Sequence, residues 1–143
     1  MTNSRSRRLA IRVSRVISCI AGVAIASGCG GTVELAPPPV PKPGALSATL
    51  VTPNANDGAV LFNIAGGPID SITAGGPRLA GDTKSGSALL AMGSVQNGAQ
   101  LALVWVPDVA KVGSYTASVV QAAARGTYAL QSLSGYKISV TPR

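Results

Sequence analysis

The sequence contains no histidine, and aromatic residues make up only 3% of its 143 positions. Without histidine, the chain can form neither a Ser-His or Cys-His nucleophile pair nor a histidine-ligated metal site. Apolar residues reach 46%, which is enough for one folded domain and argues against wholesale disorder. We therefore predict a small folded protein that is not an enzyme and that uses no cofactor.

Charge is distributed unevenly along the chain. Five of the 12 basic residues lie within the first fifteen positions. From Cys29 onward, seven basic and five acidic residues leave a net charge of 7 − 5 = +2. A segment so nearly neutral lacks the basic footprint of a nucleic-acid-binding protein. We therefore predict no nucleic-acid partner.

The first 28 residues have the three-part order of a secretory signal peptide. An arginine-rich start is followed by Val16–Ala26, a predominantly apolar stretch of eleven residues, and then by the small residues Ser27 and Gly28. As a helix, eleven residues rise only about 16 Å, which is too short to cross a hydrocarbon core of about 30 Å. This stretch predicts export rather than a transmembrane helix.

The motif Ala26-Ser27-Gly28-Cys29 resembles the lipobox of bacterial lipoproteins. The resemblance implies cleavage between Gly28 and Cys29, with a diacylglyceryl group on the Cys29 thiol and an acyl chain such as palmitate on its new amine. In that family the third residue before the cysteine is usually leucine, whereas this chain has alanine. Two or three such chains anchor a protein firmly, since each buried CH₂ contributes about 0.8 kcal/mol.

Two alternatives concern the same leader. Ala24-Ile25-Ala26 is also an A-x-A site that would permit ordinary secretion starting at Ser27. Ser6-Arg7-Arg8 resembles the start of a twin-arginine export signal, so the export route stays open. Position 30, which follows the cysteine, is glycine and not aspartate, and under the sorting rules of the lipoprotein family this favours the outer membrane. We expect a lipid-anchored protein on the cell membrane or outer membrane, facing the periplasm or the exterior.

Residues 29–44 are predicted to be a lipidated N-terminus and a proline-rich tether. Five prolines between Pro37 and Pro43 favour extended polyproline II, at about 3.1 Å per residue. Such a spacer would hold the following domain away from the membrane.

Residues 45–143 are predicted to form a single small β-sandwich of about seven or eight strands, because short β-rich runs alternate with turn clusters. The clearest runs are 46–52, 59–64, 69–73, 88–92, 100–106, 115–121 and 136–141, with a shorter candidate at 128–133. The run 100–106 is predicted to be central and buried on both faces, with Trp105 in the core. The segment Asn56–Phe62 resembles the Asp-Gly strand of cohesin-like sandwiches, which implies a fold of the cohesin-like or immunoglobulin-like kind used for protein or glycan contact.

Few residues of this domain suggest chemistry. Asn54-x-Asn56-Asp57-Gly58 partly matches a calcium loop, but no glutamate follows Glu34 to complete one, and we interpret the segment as a turn. Tyr128 and Tyr136 are candidates for an aromatic stack that binds sugar. The sequence therefore predicts an anchored lipoprotein with a non-catalytic interaction or structural module and an envelope protein as partner; the alternative is a glycan- or small-ligand-binding lipoprotein. No ligand-binding residue and no metal ligand is assigned.

Overall fold

A computed structural model of the chain describes residues 37–143, which form eight β-strands and one 3-10 helix. The predicted signal peptide, the cleavage site at Gly28 and the lipid attachment site at Cys29 lie outside the described residues. The strands are β1 (Gly44–Val51), β2 (Asp57–Ala65), β3 (Ser71–Ala74), β4 (Arg78–Asp82), β5 (Ser87–Met92), β6 (Gln100–Val106), β7 (Thr116–Ala124) and β8 (Lys137–Pro142), with the 3-10 helix at Val109–Ser114.

The strands form two antiparallel sheets of four. Sheet 1 has the order β3-β6-β1-β8, and sheet 2 has the order β4-β5-β2-β7. Among the described residues, no helix is long and apolar enough to span a membrane. The predicted fold class, an all-β sandwich of seven or eight strands, is confirmed.

The core lies between the inner faces of the two sheets. In β2, Val60, Phe62 and Ile64 alternate with more exposed residues and are almost fully buried, as the two-residue period of a strand requires. They pack with β1 residues Leu46 and Leu50 from the opposite sheet, which are also fully buried. Since β2 and β1 each lie at an inner position of their sheet, the largest apolar side chains meet at the centre of the domain.

Most predicted strands are present, and two expectations are wrong. The prediction missed β4, an edge strand whose short run Arg78–Asp82 has only one large apolar residue, Leu79. Residues 128–133, predicted as a strand, make only one isolated bridge, between Leu130 and Ala123. Residues 100–106 form β6, which lies between β3 and β1, so the predicted central placement is confirmed. The predicted burial on both faces is wrong, because Trp105 on the outer face is 44% exposed.

The connections divide the sandwich into two ends. The end that we call the tether end has residues 37–43, Arg143 and the turns at 66–70, 83–86 and 107–115. There the amide of Val109 donates a hydrogen bond to the carbonyl of Lys42, and the amide of Arg143 donates one to the carbonyl of Ala45. The other end, the loop end, has the loops at 52–56, 75–77, 93–99 and 125–136. The chain therefore enters the sandwich at the end opposite to these four loops.

Candidate functional site

A groove on the outer face of sheet 2, which we call the outer groove, is the best-formed candidate site among the described residues. It has a volume of about 440 Å³ and reaches the loop end. Its lining residues come from β2, β5 and the loop after β7: Gly58, Ala59, Leu90, Met92, Gly93, Arg125, Gly126 and Tyr128. Most of this lining is apolar. The volume of the groove lies within the range of about 300–1,000 Å³ that is typical of small-ligand sites.

The floor of the outer groove is formed by residues with small side chains. Ala59 pairs with Ala123 on β7 and with Met92 on β5, so an alanine pair lies beside the longer Met92 side chain. At the adjacent Gly58 the β2–β7 register shifts, and an added Cβ there would lie 2.7 Å from the Cα of Arg125. Only glycine therefore lets β2 approach Arg125 this closely.

The wall of the groove is a tight turn after β7. The amide of Tyr128 donates to the carbonyl of Ala124 at 3.0 Å, and the amide of Ala124 donates to the carbonyl of Ala129 at 2.9 Å. These bonds hold Tyr128 at a φ of +54°, a left-handed conformation that is unusual for a bulky residue. Tyr128 and Leu130 are 75% and 73% exposed, so the turn presents two large apolar groups to solvent beside the groove.

A second, smaller depression continues the outer groove along sheet 2. It has a volume of about 80 Å³ and shares Ala59 and Leu90 with the larger one. Leu61, Gln121 and Leu130 complete its sides. Since Gly58 and Leu61 are three residues apart on one strand, the two depressions together extend over roughly 10 Å.

The exposed charges at the loop end are all positive. Arg78, Arg125 and Lys137 are exposed there, whereas the only described carboxylate at that end, that of Asp57, is fully buried. The other described acids, Asp70, Asp82 and Asp108, lie in or beside the turns of the tether end. Within residues 37–143 the one ion pair joins Lys111 to Asp108. Arg125, which lines the outer groove, and Arg78, which pairs with the groove residue Met92, therefore have no carboxylate partner among the described residues.

A buried polar cluster closes the loop end below the groove. Asp57 is 0% exposed; its Oδ2 accepts a hydrogen bond from the Thr52 hydroxyl at 2.7 Å, and its Oδ1 accepts one from the Tyr136 hydroxyl at 2.6 Å. Asn54 completes the cluster, since its Nδ2 donates to the Tyr136 hydroxyl at 2.8 Å and its amide donates to the Thr52 hydroxyl at 3.0 Å. Burial, and next the hydrogen bond to Asp57, raise the pKa of Tyr136 above its ordinary value of 10.0.

This cluster accounts for the partial calcium motif at Asn54–Gly58. The two carboxylate oxygens of Asp57 point into the domain and accept from hydroxyl groups. In the described part of the chain, no group of three or more acidic, cysteine or histidine side chains is placed to hold a metal ion. The segment is a turn whose aspartate joins the ends of the two sheets.

Trp105 is not in the core, contrary to the prediction. It is 44% exposed and lies on the outer face of sheet 1, where its cross-strand neighbours are the small residues Ala45 and Ser71. The inward positions of β6 are taken by Val104 and Val106, which are buried. The same face has outward Ser and Thr residues on three strands: Ser47, Thr49, Ser71, Thr73, Ser139 and Thr141.

The candidate stack of Tyr128 and Tyr136 is not formed. Tyr128 is exposed beside the outer groove, whereas Tyr136 is half-buried, packs against the core and holds Asp57. Sequence reasoning missed Arg125 and Leu90 as groove residues. Of the three alanines before Arg125, Ala122 and Ala124 are buried in the core and only Ala123 faces outward, so the alanine run does not indicate the groove. The chain matches no protein-family model, no curated protein and no solved structure.

Proposed function

We propose that this chain is an exported lipoprotein, anchored through Cys29, whose sandwich is a non-catalytic binding module. The observation that carries the proposal is the order of the leader: an arginine-rich start, eleven mostly apolar residues, and Ala26-Ser27-Gly28-Cys29. Residues 37–43 support it, because they are exposed, lack helix and strand, and lead into the tether end. Residues 37–43 and the four loops of the loop end therefore lie at opposite ends of the sandwich.

The lining of the outer groove supports binding rather than catalysis. Among its described residues, Arg125 and Tyr128 are the only ionisable ones, and general acid–base or nucleophilic catalysis requires a positioned acid, base or activated nucleophile. The groove instead combines apolar area with one cation. This composition is typical of a site that recognises a ligand by shape and charge.

Mass spectrometry of the mature N-terminus tests the anchor. We expect the full chain, expressed in a bacterium that processes lipoproteins, to yield an N-terminal peptide that starts at an acylated Cys29. Cys29→Ser should abolish acylation and processing before residue 29, whereas the matched control Cys19→Ser should retain both, since Cys19 precedes the cleavage site. An unmodified N-terminus at Ser27 would refute the lipid anchor.

Exposure of Trp105 favours a second candidate, glycan binding on the outer face of sheet 1. Exposed indole rings stack on sugars, and neighbouring hydroxyl groups such as that of Ser71 supply hydrogen bonds. Trp105 is the only tryptophan of the chain, so its fluorescence reports on this face alone. Soluble envelope oligosaccharides should quench it saturably and Ser71→Ala should weaken binding; fluorescence that no oligosaccharide changes would refute this candidate.

A further inference from the structure

We propose that the outer groove binds a single alkyl chain that carries an anionic head group. The proposal rests on the proposed function only in treating the sandwich as a binding module. It does not require a lipid on Cys29, so each can fail without the other.

The tail is assigned from the apolar lining of the groove. Leu90 and Met92 on β5, Ala59 on β2 and the exposed Leu130 border one continuous trough of two depressions, about 440 and 80 Å³ in volume. The trough extends along the strands for roughly 10 Å. A single extended chain fits this shape, and each CH₂ that enters it should tighten binding by up to about fourfold.

The head group is assigned from charge complementarity. Arg125 lines the groove at the loop end. Arg78 is the cross-strand partner of the groove residue Met92, so the side chains of Arg78 and Met92 lie on the same face of sheet 2. Neither arginine has a carboxylate partner among the described residues. A guanidinium group binds carboxylates and phosphates through paired N–H donors. An anionic head at this end would neutralise the unpaired charge.

The backbone conformation of Tyr128 is a further observation, independent of the apolar lining and the charge. The φ of Tyr128 is +54° in a turn closed by the hydrogen bond from its amide to the carbonyl of Ala124, and its side chain is 75% exposed beside the groove. Strained non-glycine conformations persist when the surroundings impose them, and they are concentrated at ligand sites. Glycine would adopt this conformation without strain. Position 128 therefore has a large ring, which borders the groove, where glycine would be less strained.

Calorimetric titration with dodecanoate below its micelle concentration tests the proposal. The protein is the full-length chain with Cys29→Ser, which carries no acyl chain of its own that would compete for the groove. We expect saturable binding of dodecanoate, at least tenfold tighter than that of hexanoate, which has the same head and a shorter tail. Dodecyltrimethylammonium has the same tail and the opposite charge, and should bind at least fivefold more weakly than dodecanoate.

Three further substitutions locate the site. Arg125→Gln should weaken dodecanoate binding at least fivefold, whereas the matched control Lys137→Gln should not change it, because Lys137 belongs to the loop end but to sheet 1. Tyr128→Gly should weaken binding without lowering the melting temperature, since it removes both the groove wall and the backbone strain. This variant separates a loss of the ligand from a loss of the fold.

Several outcomes would overturn the proposal. They are the absence of dodecanoate binding, equal affinity for dodecyltrimethylammonium, or an effect of Lys137→Gln as large as that of Arg125→Gln. Binding to vesicles of anionic phospholipid without binding of monomeric dodecanoate would also overturn it, because the partner would then be a charged membrane surface rather than one alkyl chain.

Discussion

The buried carboxylate of Asp57 offers the most demanding test of how the loop end is held together. The direction of each hydrogen bond in its cluster is fixed by Asn54. The hydroxyl groups of Thr52 and Tyr136 each accept a bond from Asn54, so each donates its single proton to Asp57. A group at position 57 must therefore accept twice, and a carboxylate is the side chain that does so with no donor of its own.

Replacement of Asp57 by asparagine keeps the size of the side chain and breaks this arrangement. One of the two bonds to a charged acceptor is lost, which costs about 1.5–3 kcal/mol, and an amide donor is buried facing a hydroxyl proton, which costs about 1–3 kcal/mol. We expect the free energy of unfolding to fall by about 3 kcal/mol. For a domain of this size, that corresponds to a fall in melting temperature of roughly 10–15 °C.

Urea and thermal unfolding, followed by circular dichroism, measure this effect. Asp82→Asn is the matched control, because Asp82 also accepts several hydrogen bonds, from Ser85 and Lys84, but does so at the surface. The melting temperature of Asp82→Asn should stay close to that of the unsubstituted chain, since water can replace the hydrogen bonds that the exposed carboxylate made. If Asp57→Asn were as mild as Asp82→Asn, the assigned donor directions would be incorrect and the cluster would contribute little to stability.

Tyr136, Phe62 and Trp105 provide three further tests, of the polar cluster, the core and the outer face of sheet 1. Because the pKa of Tyr136 is raised in the folded state, the contribution of Tyr136 to stability is complete below pH 10 and is lost as the pH rises through the folded-state pKa. Tyr136→Phe should therefore reduce the loss of stability seen in urea titrations across pH 8–11. The loss that remains should come from Tyr115, because burial also raises the pKa of Tyr115. Phe62→Ala should lower the free energy of unfolding by about 3–5 kcal/mol, because Phe62 is fully buried at the centre of the core; a loss below about 1 kcal/mol in urea denaturation would contradict that packing. Trp105→Ala should cost no more than about 1 kcal/mol in the same assay, whereas a core position would cost several.

The sequence predicted the strands where alternation and burial agree. In β2, every second residue from Val60 to Ile64 is apolar and buried, so the period of two indicates both the element and its inner face. The prediction failed at β4, where Gly81 has a φ of +121° and pairing with β5 shifts register. An edge strand that buries little apolar area leaves little alternation in its sequence.

Trp105 shows a second limit of such prediction. In β6, large and small apolar residues alternate, and this alternation predicts that the larger set faces the core. The register shift between Ala48 and Thr49, opposite the start of β6, changes the phase at Leu101, so that Leu101 is buried while Leu103 and Trp105 face outward. A β-bulge is set by pairing between distant strands. No local pattern in residues 100–106 indicates it.

The candidate site was least predictable because it is produced by the same pairing that closes the sandwich. Thr52 and Tyr136 belong to the ends of sheet 1, whereas Asp57 begins β2 of sheet 2, so their hydrogen bonds join the two sheets at the loop end. One residue before Asp57, the carbonyl of Asn56 accepts the amide of Arg125 at 2.7 Å. The cluster therefore also fixes the distance between β2 and the turn that forms the groove wall. It follows that Asp57→Asn should weaken ligand binding in the outer groove even where the variant remains folded, although residue 57 does not line the groove.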